Sequence, residues 1–219
     1  MISPQSEKSE DSTEMRHRNP DYISIIVIAS GISMKSGRNR LLEPIGERTM
    51  IEYVASECLT SKAKQVVVVI GNDADKVRLA LKDYPCEIVF DEDFAKGASY
   101  SIKKGLSAVK EDADGVMVVP GDIGLVDRST INAMIREYST CYAPIVTTGR
   151  HGRSLRPILF DRNLLGELKS MNDEIGGLNN LVSKYRAKSH LVQSSEASLL
   201  RLGKQAGRIR AKLGLSKRS

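Results

Sequence analysis

The first concentration of chemistry lies at Ile28-Ala29-Ser30-Gly31-Ile32-Ser33-Met34-Lys35-Ser36-Gly37-Arg38-Asn39-Arg40-Leu41-Leu42. Ala29, Ser30, Gly31, Ser33 and Gly37 are small enough for the backbone to approach a polyanion, and turned N–H groups there can cradle phosphates. Lys35 and Arg40 supply cations that would neutralise a triphosphate. Five residues separate Gly31 from Gly37 and no Lys-Ser/Thr pair follows, so neither the P-loop nor the G-x-G-x-x-G pattern applies. An ordinary strand-to-helix loop with solvated cations fits the same spacing.

A second candidate is Val119-Pro120-Gly121-Asp122-Ile123-Gly124. A carboxylate directly after a buried strand, between glycines, is placed to hold a hard cation, and Mg²⁺ usually takes one or two protein carboxylates plus phosphate oxygens and waters. Asp122 could equally make a turn or cap the next helix. A third segment runs from Asp91, at the end of one apolar run, through Gly97, Ser99, Ser101 and Gly105; turn chemistry alone would explain it. The fourth is Asn172-Asp173-Glu174 before Gly176-Gly177. Its three side-chain oxygens in a row could supply a second metal ligand, although a run of this composition is more often a solvated loop.

The surrounding elements decide whether these residues meet. Ile23–Ala29 is short, apolar and β-branched, which predicts a fully buried strand. Thr49 and Glu52 form a capping-box pattern, predicting a helix over Met50–Ser61. Strands are then expected at Gln65–Ile70, Cys86–Phe90, Gly115–Val119 and Ala143–Thr147. Helices are expected between them at Asp73–Lys82, Gly97–Lys110 and Arg128–Tyr138. Such alternation predicts an α/β fold: a three-layer, Rossmann-like arrangement with a mostly parallel twisted sheet and helices on both faces. Ligands of such sheets bind outside the carboxyl ends of the strands. That rule selects the loops Ser30–Arg40, Gly71–Asn72, Asp91–Gly97 and Pro120–Val126. Beyond Gly149 the pattern loosens to a short strand at Pro157–Phe160 and helices at Asn163–Ser170 and Leu178–Arg186. Leu199, Leu202, Ala206, Ile209 and Leu213 recur at helical spacing, predicting an amphipathic helix from Ser195 to about Lys212.

Composition narrows the function classes. The 219 residues suit one domain. We divide the chain into a polar, disordered segment 1–21, a folded domain 22–190 and a basic tail 191–219. Net charge is +6, but Leu200–Ser219 carries seven cations and no acid, which leaves the rest of the chain at −1. The basic balance is therefore a property of the tail, and nucleic acid is not the expected partner. A solvated basic helix packing by its Leu stripe explains the tail better than salt-dependent nucleic-acid binding would. Cys58, Cys86 and Cys141 are far apart and form no C-x-x-C pair, and His17, His151 and His190 lack metal-ligand spacing. These features predict reduced thiols in a cytoplasmic protein without a zinc site. No signal peptide is evident, and no apolar run is long enough to span a membrane. Nothing in the sequence sets an oligomeric state.

Residues 24–182 resemble the MobA-like NTP transferase family, most closely its molybdenum cofactor cytidylyltransferase branch. The family's opening motif, L-A-A-G-x-S-x-R-M-G-x-x-K-L-L, is matched without a gap at Ala29, Gly31, Ser33, Gly37, Leu41 and Leu42. Val66–Gly71 resembles its second strand and base-side turn. Gly97, Ser99, Ser101, Gly105 and Leu106 match N-P-x-W-x-x-G-x-x-S-S-L-x-x-G-L. Gly121-Asp122 matches the Gly-Asp whose carboxylate binds magnesium. Arg156-Pro157-Ile158-Leu159-Phe160 resembles G-H-P-V-L-F, and Asn172-Asp173 stands where the branch has its second Gly-Asp. In this chain Lys35 replaces the family Arg, Arg40 its Lys, and Ser30 the second Ala. Leu155-Arg156 replaces Gly-His, and Ile123-Gly124 replaces the usual residue-Pro.

The resemblance implies a nucleotidyltransferase that moves a nucleoside monophosphate from an NTP to a phosphorylated small molecule, with Mg²⁺ as cofactor and pyrophosphate released. Lys35, Arg40 and Asp122 would be the catalytic residues. The nucleotide would lie on Ile28, Ala29, Ser30, Gly31, Ser33, Gly37, Arg40, Gly71, Asp91, Gly97 and Ser101. Asp122 and Asp173 would hold the metal. Molybdopterin is the acceptor that the branch suggests, with a sugar or polyol phosphate next. A Cβ at position 30, where guanine-using relatives carry glycine, favours CTP over GTP. A nucleotide-binding homologue that has lost turnover and acts as regulator or chaperone is the competing class.

Overall fold

Ile23–Ala29 forms the central strand β1, and its side chains divide the core in two. Ile23, Ile25, Val27 and Ala29 enter one apolar cluster, while Ile26 enters the other. This two-sided burial is what an unbroken apolar run requires of a strand covered on both faces. The computed structural model describes residues 22–31, 39–124, 126–150, 153–173, 177–193 and 200–201.

After a 3-10 turn at Arg40–Leu42, a two-residue hairpin, β2 (Pro44–Ile45) and β3 (Arg48–Thr49), leads into α1 (Met50–Leu59). The expected capping box is present: the Thr49 N–H donates to the Glu52 carboxylate over 2.7 Å. The chain continues through β4 (Gln65–Ile70), α2 (Ala74–Ala80), β5 (Glu87–Phe90), α3 (Ala98–Leu106) and β6 (Gly115–Pro120). It proceeds with β7 (Ile123–Gly124), α4 (Arg128–Cys141), β8 (Ile145–Arg150), β9 (Arg153–Asp161), α5 (Leu165–Ser170), α6 (Gly177–Lys184), β10 (His190–Gln193) and β11 (Leu200–Arg201).

Seven strands form the main sheet in the order β10-β8-β9-β6-β1-β4-β5. β1 pairs in parallel with β4 and β6, β4 with β5, and β8 with β10; β9 alone is antiparallel, to both β6 and β8. Helices α1, α2 and α4 cover one face through Met50, Ile51, Val54, Val77, Ile131 and Met134. Helices α3, α5 and α6 cover the other through Ile102, Leu106, Leu168, Leu178 and Leu181. The expected three layers and mostly parallel sheet are therefore present.

Two parts of the C-terminal third differ from expectation. The loosened pattern after Gly149 is an antiparallel turn-back, in which β8 and β9 pair across a register shift at Thr147/Thr148. Leu200–Arg201, expected within a helix, instead pair antiparallel with Ile123–Gly124. A free sheet-like edge at β7 offers backbone hydrogen bonds that override the helical periodicity at those two positions. The remainder of the expected helix, and the segment 1–21, lie outside the described residues. Among the described residues, no helix is long and apolar enough to cross a membrane.

Candidate active site

The chain goes from β1 out to β4 and β5 on one side and returns to β6 on the other, so the strand order reverses beside β1. Because these four strands are parallel, their carboxyl ends share one edge. Ser30–Gly31, Gly71–Asp73, Asp91–Gly97 and Gly121–Asp122 all emerge there. This is the crevice where open α/β sheets bind ligands.

Asp122 follows β6 directly, and its Oδ2 lies 3.7 Å from Nη1 of Arg40. Their side chains are 34% and 25% exposed, so both reach the crevice while still reaching each other. Gly121 makes this approach possible. Its N–H donates to the Ile28 carbonyl over 2.8 Å, and a Cβ there would lie 2.9 Å from Leu41 Cδ2 and 3.0 Å from that carbonyl. The 3-10 turn that carries Arg40 is N-capped by Asn39, whose Oδ1 accepts from the Leu41 N–H over 3.0 Å.

Asn39 also fastens the first loop to the second. Its amide donates to Asp73 Oδ2 over 3.2 Å and to the Asn72 carbonyl over 3.5 Å. Asp73 sits at φ 53°, a left-handed position that Asp tolerates better than most residues. The Lys76 and Asn39 hydrogen bonds hold its carboxyl below the usual carboxylate range. Sequence reasoning passed over this tie, which joins two loops 34 positions apart.

Beneath the crevice runs a buried polar chain. Ser101 donates to Asp91 Oδ2 over 2.6 Å, which leaves Ser30 to donate to Ser101 over 2.6 Å. Asp91 Oδ1 accepts the Asp93 N–H over 3.0 Å. Ser30, Ser101 and Asp91 are each at most 2% exposed. Sequence reasoning grouped these three as ligand-facing residues. The structure does bring them together, but their polar atoms face one another. Gly71 completes the group: a Cβ there would lie 2.5 Å from Phe94 Cβ and 2.9 Å from Ser30 Cβ. Phe94, which sequence reasoning passed over, therefore packs onto the turn next to Ser30. Gly31 is the opposite case, because no described atom lies within 4 Å of a Cβ built on it. Packing among the described residues does not demand glycine there, whereas close approach by a ligand would.

Asp173 meets a different partner from Asp122. Its Oδ2 accepts the Ser99 N–H over 2.8 Å, and its Oδ1 the Ser99 hydroxyl over 2.7 Å. It thereby caps the first turn of α3 from a distant part of the chain. Gly97 (φ 128°) and Gly177 (φ 45°) leave room for it, since a Cβ on either would strike its carboxylate. Lys35, Ser33 and Gly37 lie outside the described residues.

The donors suit a hard divalent cation. Asp122 presents a partly exposed carboxylate at the crevice, so phosphate oxygens and water would complete the shell of a magnesium-like ion. Asp173 keeps lone pairs beyond those taken by Ser99, because each carboxylate oxygen can accept more than one bond.

Known proteins share this fold and this domain. The chain is 26% identical over 177 residues to the bifunctional protein GlmU of Staphylococcus carnosus, a match covering 81% of this chain and 37% of that protein. The chain thus spans little more than a third of that relative's length. Among solved structures, a nucleotidyl transferase from Methanothermobacter thermautotroptrophicus (Mth528) superposes with a TM-score of 0.75 at 19% identity, covering 89% of this chain and 97% of that one. Rv0371C of Mycobacterium tuberculosis H37Rv, in complex with manganese, superposes with a TM-score of 0.71 at 22% identity, covering 85% and 96%. Residues 25–190 match the model of the MobA-like NTP transferase domain, and with its sheet-edge crevice the chain belongs to that nucleotidyltransferase family.

Proposed function

We propose that the protein transfers a nucleoside monophosphate, with CMP preferred, from an NTP to a phosphorylated small molecule. The observation that carries this reading is the pairing of Asp122 with Arg40 at the carboxyl edge, beside the Ser30–Gly31 and Gly71 turns. The triphosphate lies over the first loop, where Arg40, with Lys35, offsets its charge. Asp122, joined by Asp173, is the holding point for Mg²⁺, which supplies charge neutralisation at the α-phosphate when bound. A phosphate oxygen of the acceptor attacks the α-phosphorus. A new P–O bond forms, the bond to the β-phosphate oxygen breaks, and pyrophosphate leaves. The acceptor phosphate is already ionised at neutral pH, so the residues contribute positioning and electrostatics, with no dedicated base.

The preference for CTP rests on Ser30. Its hydroxyl is committed to Ser101, so the Cβ bulk is what remains to distinguish a pyrimidine from a purine. Small steric differences of that kind discriminate by about 1–3 kcal/mol. Molybdopterin is the first acceptor to test, followed by sugar and polyol phosphates. The experiment is pyrophosphate release from CTP, GTP, ATP and UTP with Mg²⁺ and each acceptor. Release with CTP and a phosphorylated acceptor is expected. Tight nucleotide binding with no release from any pair would replace this reading by that of a nucleotide-binding homologue without turnover.

A further inference from the structure

We infer that Glu137, Cys141 and His190 form a second metal site, for a divalent cation of borderline softness such as Zn²⁺. Their donor atoms all lie within 4.8 Å of one another, and among the described residues they are the one group of three His, Cys or acidic side chains so placed. Neither cysteine nor histidine spacing revealed it, because the fold closes the gap. Glu137 and Cys141 stand one turn apart on α4, which puts them on one helix face. His190 opens β10, whose neighbour β8 leads directly from that helix end. The His190 Nδ1 lies 2.9 Å from Glu137 Oε1, so two of the three ligands already converge.

The chemistry of the donors selects the ion. A sulfur, an imidazole nitrogen and a carboxylate oxygen do not suit Mg²⁺ or Ca²⁺, which take oxygen. They do suit Zn²⁺, whose tetrahedral ligands sit roughly 3.3–3.8 Å apart given its bond lengths. Side chains that are 48% (His190) and 41% (Glu137) exposed can rotate over that short distance, and their exposure leaves the fourth position to water. The last turn of α4 itself holds no basic residue, and the partial negative charge of a helix C-terminus favours a cation there. β10 and β8 run in the same direction as β6, because each is separated from it by two reversals or a parallel pairing. His190 therefore lies at the amino edge of the sheet, opposite Asp122. The site is a staple fixing the edge strand β10 to α4, separate from the nucleotide crevice.

The test uses the full chain carrying Asp122→Asn, which removes the first of the two carboxylates proposed as metal ligands in the crevice. Titration with Zn²⁺ alone is expected to show one site per chain, and Co²⁺ alone a thiolate-to-metal charge-transfer band. Cys141→Ser should abolish that band, and Cys86→Ser should leave it. Cys141→Ser and His190→Ala should each weaken Zn²⁺ binding at least tenfold, and circular dichroism will verify that both remain folded. Absence of Zn²⁺ binding in the Asp122→Asn chain would overturn the site. So would a cobalt spectrum without the sulfur band, or unchanged affinity in either ligand variant; His190 and Glu137 would then be a surface ion pair only.

Discussion

Asp122 and Arg40 illustrate how little a site can owe to the stability of its host. Their 3.7 Å pair is partly exposed, and such pairs contribute about 0–1 kcal/mol. Asp122→Ala should therefore leave the fold intact while lowering turnover by about 10²–10³-fold, the usual cost of one preorganised electrostatic contact. Near-wild-type pyrophosphate release would remove Asp122 from the metal site. Arg40→Ala should weaken NTP binding, whereas Arg40→Lys should retain much of it, because a cation at that position matters more than its fork. Equal NTP dissociation constants for wild type and Arg40→Ala would refute the assignment. Ser30 permits a finer dissection. Ser30→Ala keeps the Cβ and removes the bond to Ser101; Ser30→Gly removes both. Only the glycine variant should shift the CTP-to-GTP affinity ratio toward GTP. An equal shift in both variants would assign base selection to the hydroxyl network.

Elements bring these residues into register, and some of their fastenings were not visible in the chain. Asp173 sits in a segment that reads as a solvated loop, yet it caps α3 across 74 positions of sequence. No local pattern encodes a cap supplied from so far away, whereas the Thr49–Glu52 box is local and was legible. Asp173→Ala should cost about 0.5–2 kcal/mol, the range for losing a helix cap, as measured by urea denaturation. The second fastening, Asn39 to Asp73, shares its carboxylate with Lys76, whose hydrogen bond is the larger cause of the lowered pKa. Asp73 has a folded pKa lowered from 3.8, so its contribution is fully present above the unfolded value and is lost as pH falls through the lower folded one. Asn also tolerates the left-handed backbone at this position, so Asp73→Asn removes the charge without adding strain. The wild type should melt higher than Asp73→Asn near pH 6, and the gap should narrow as pH falls below 3.8, the ordinary value of this carboxyl. A gap that widens in acid would show that the carboxylate is not the stabilising form.

At the scale of the molecule, the alternation of buried runs with helix patterns made the sheet, its layers and its ligand edge legible, because each depends on local period and chain order. The return of β9 between β6 and β8 was not, since strand direction in a turn-back depends on pairing partners. For the same reason the three donors at the far edge stayed hidden, while the crevice motifs did not. The crevice draws on the carboxyl ends of β1, β4, β5 and β6, so nucleotide binding should stabilise the sheet as a whole. A ligand that binds only the folded state at about 100 times its Kd adds about 2.7 kcal/mol. For a domain of this size that corresponds to a rise in Tm of roughly 5–10 °C. CTP with Mg²⁺ should produce it, and GTP at the same concentration should produce less. In Asp122→Ala the part of the shift that depends on Mg²⁺ should disappear, while a smaller shift from CTP alone persists through Arg40 and the first loop. Scanning calorimetry with and without chelator separates the two contributions. A Mg²⁺-dependent shift that survives Asp122→Ala would move the catalytic metal to another carboxylate, with Asp173 the first to examine.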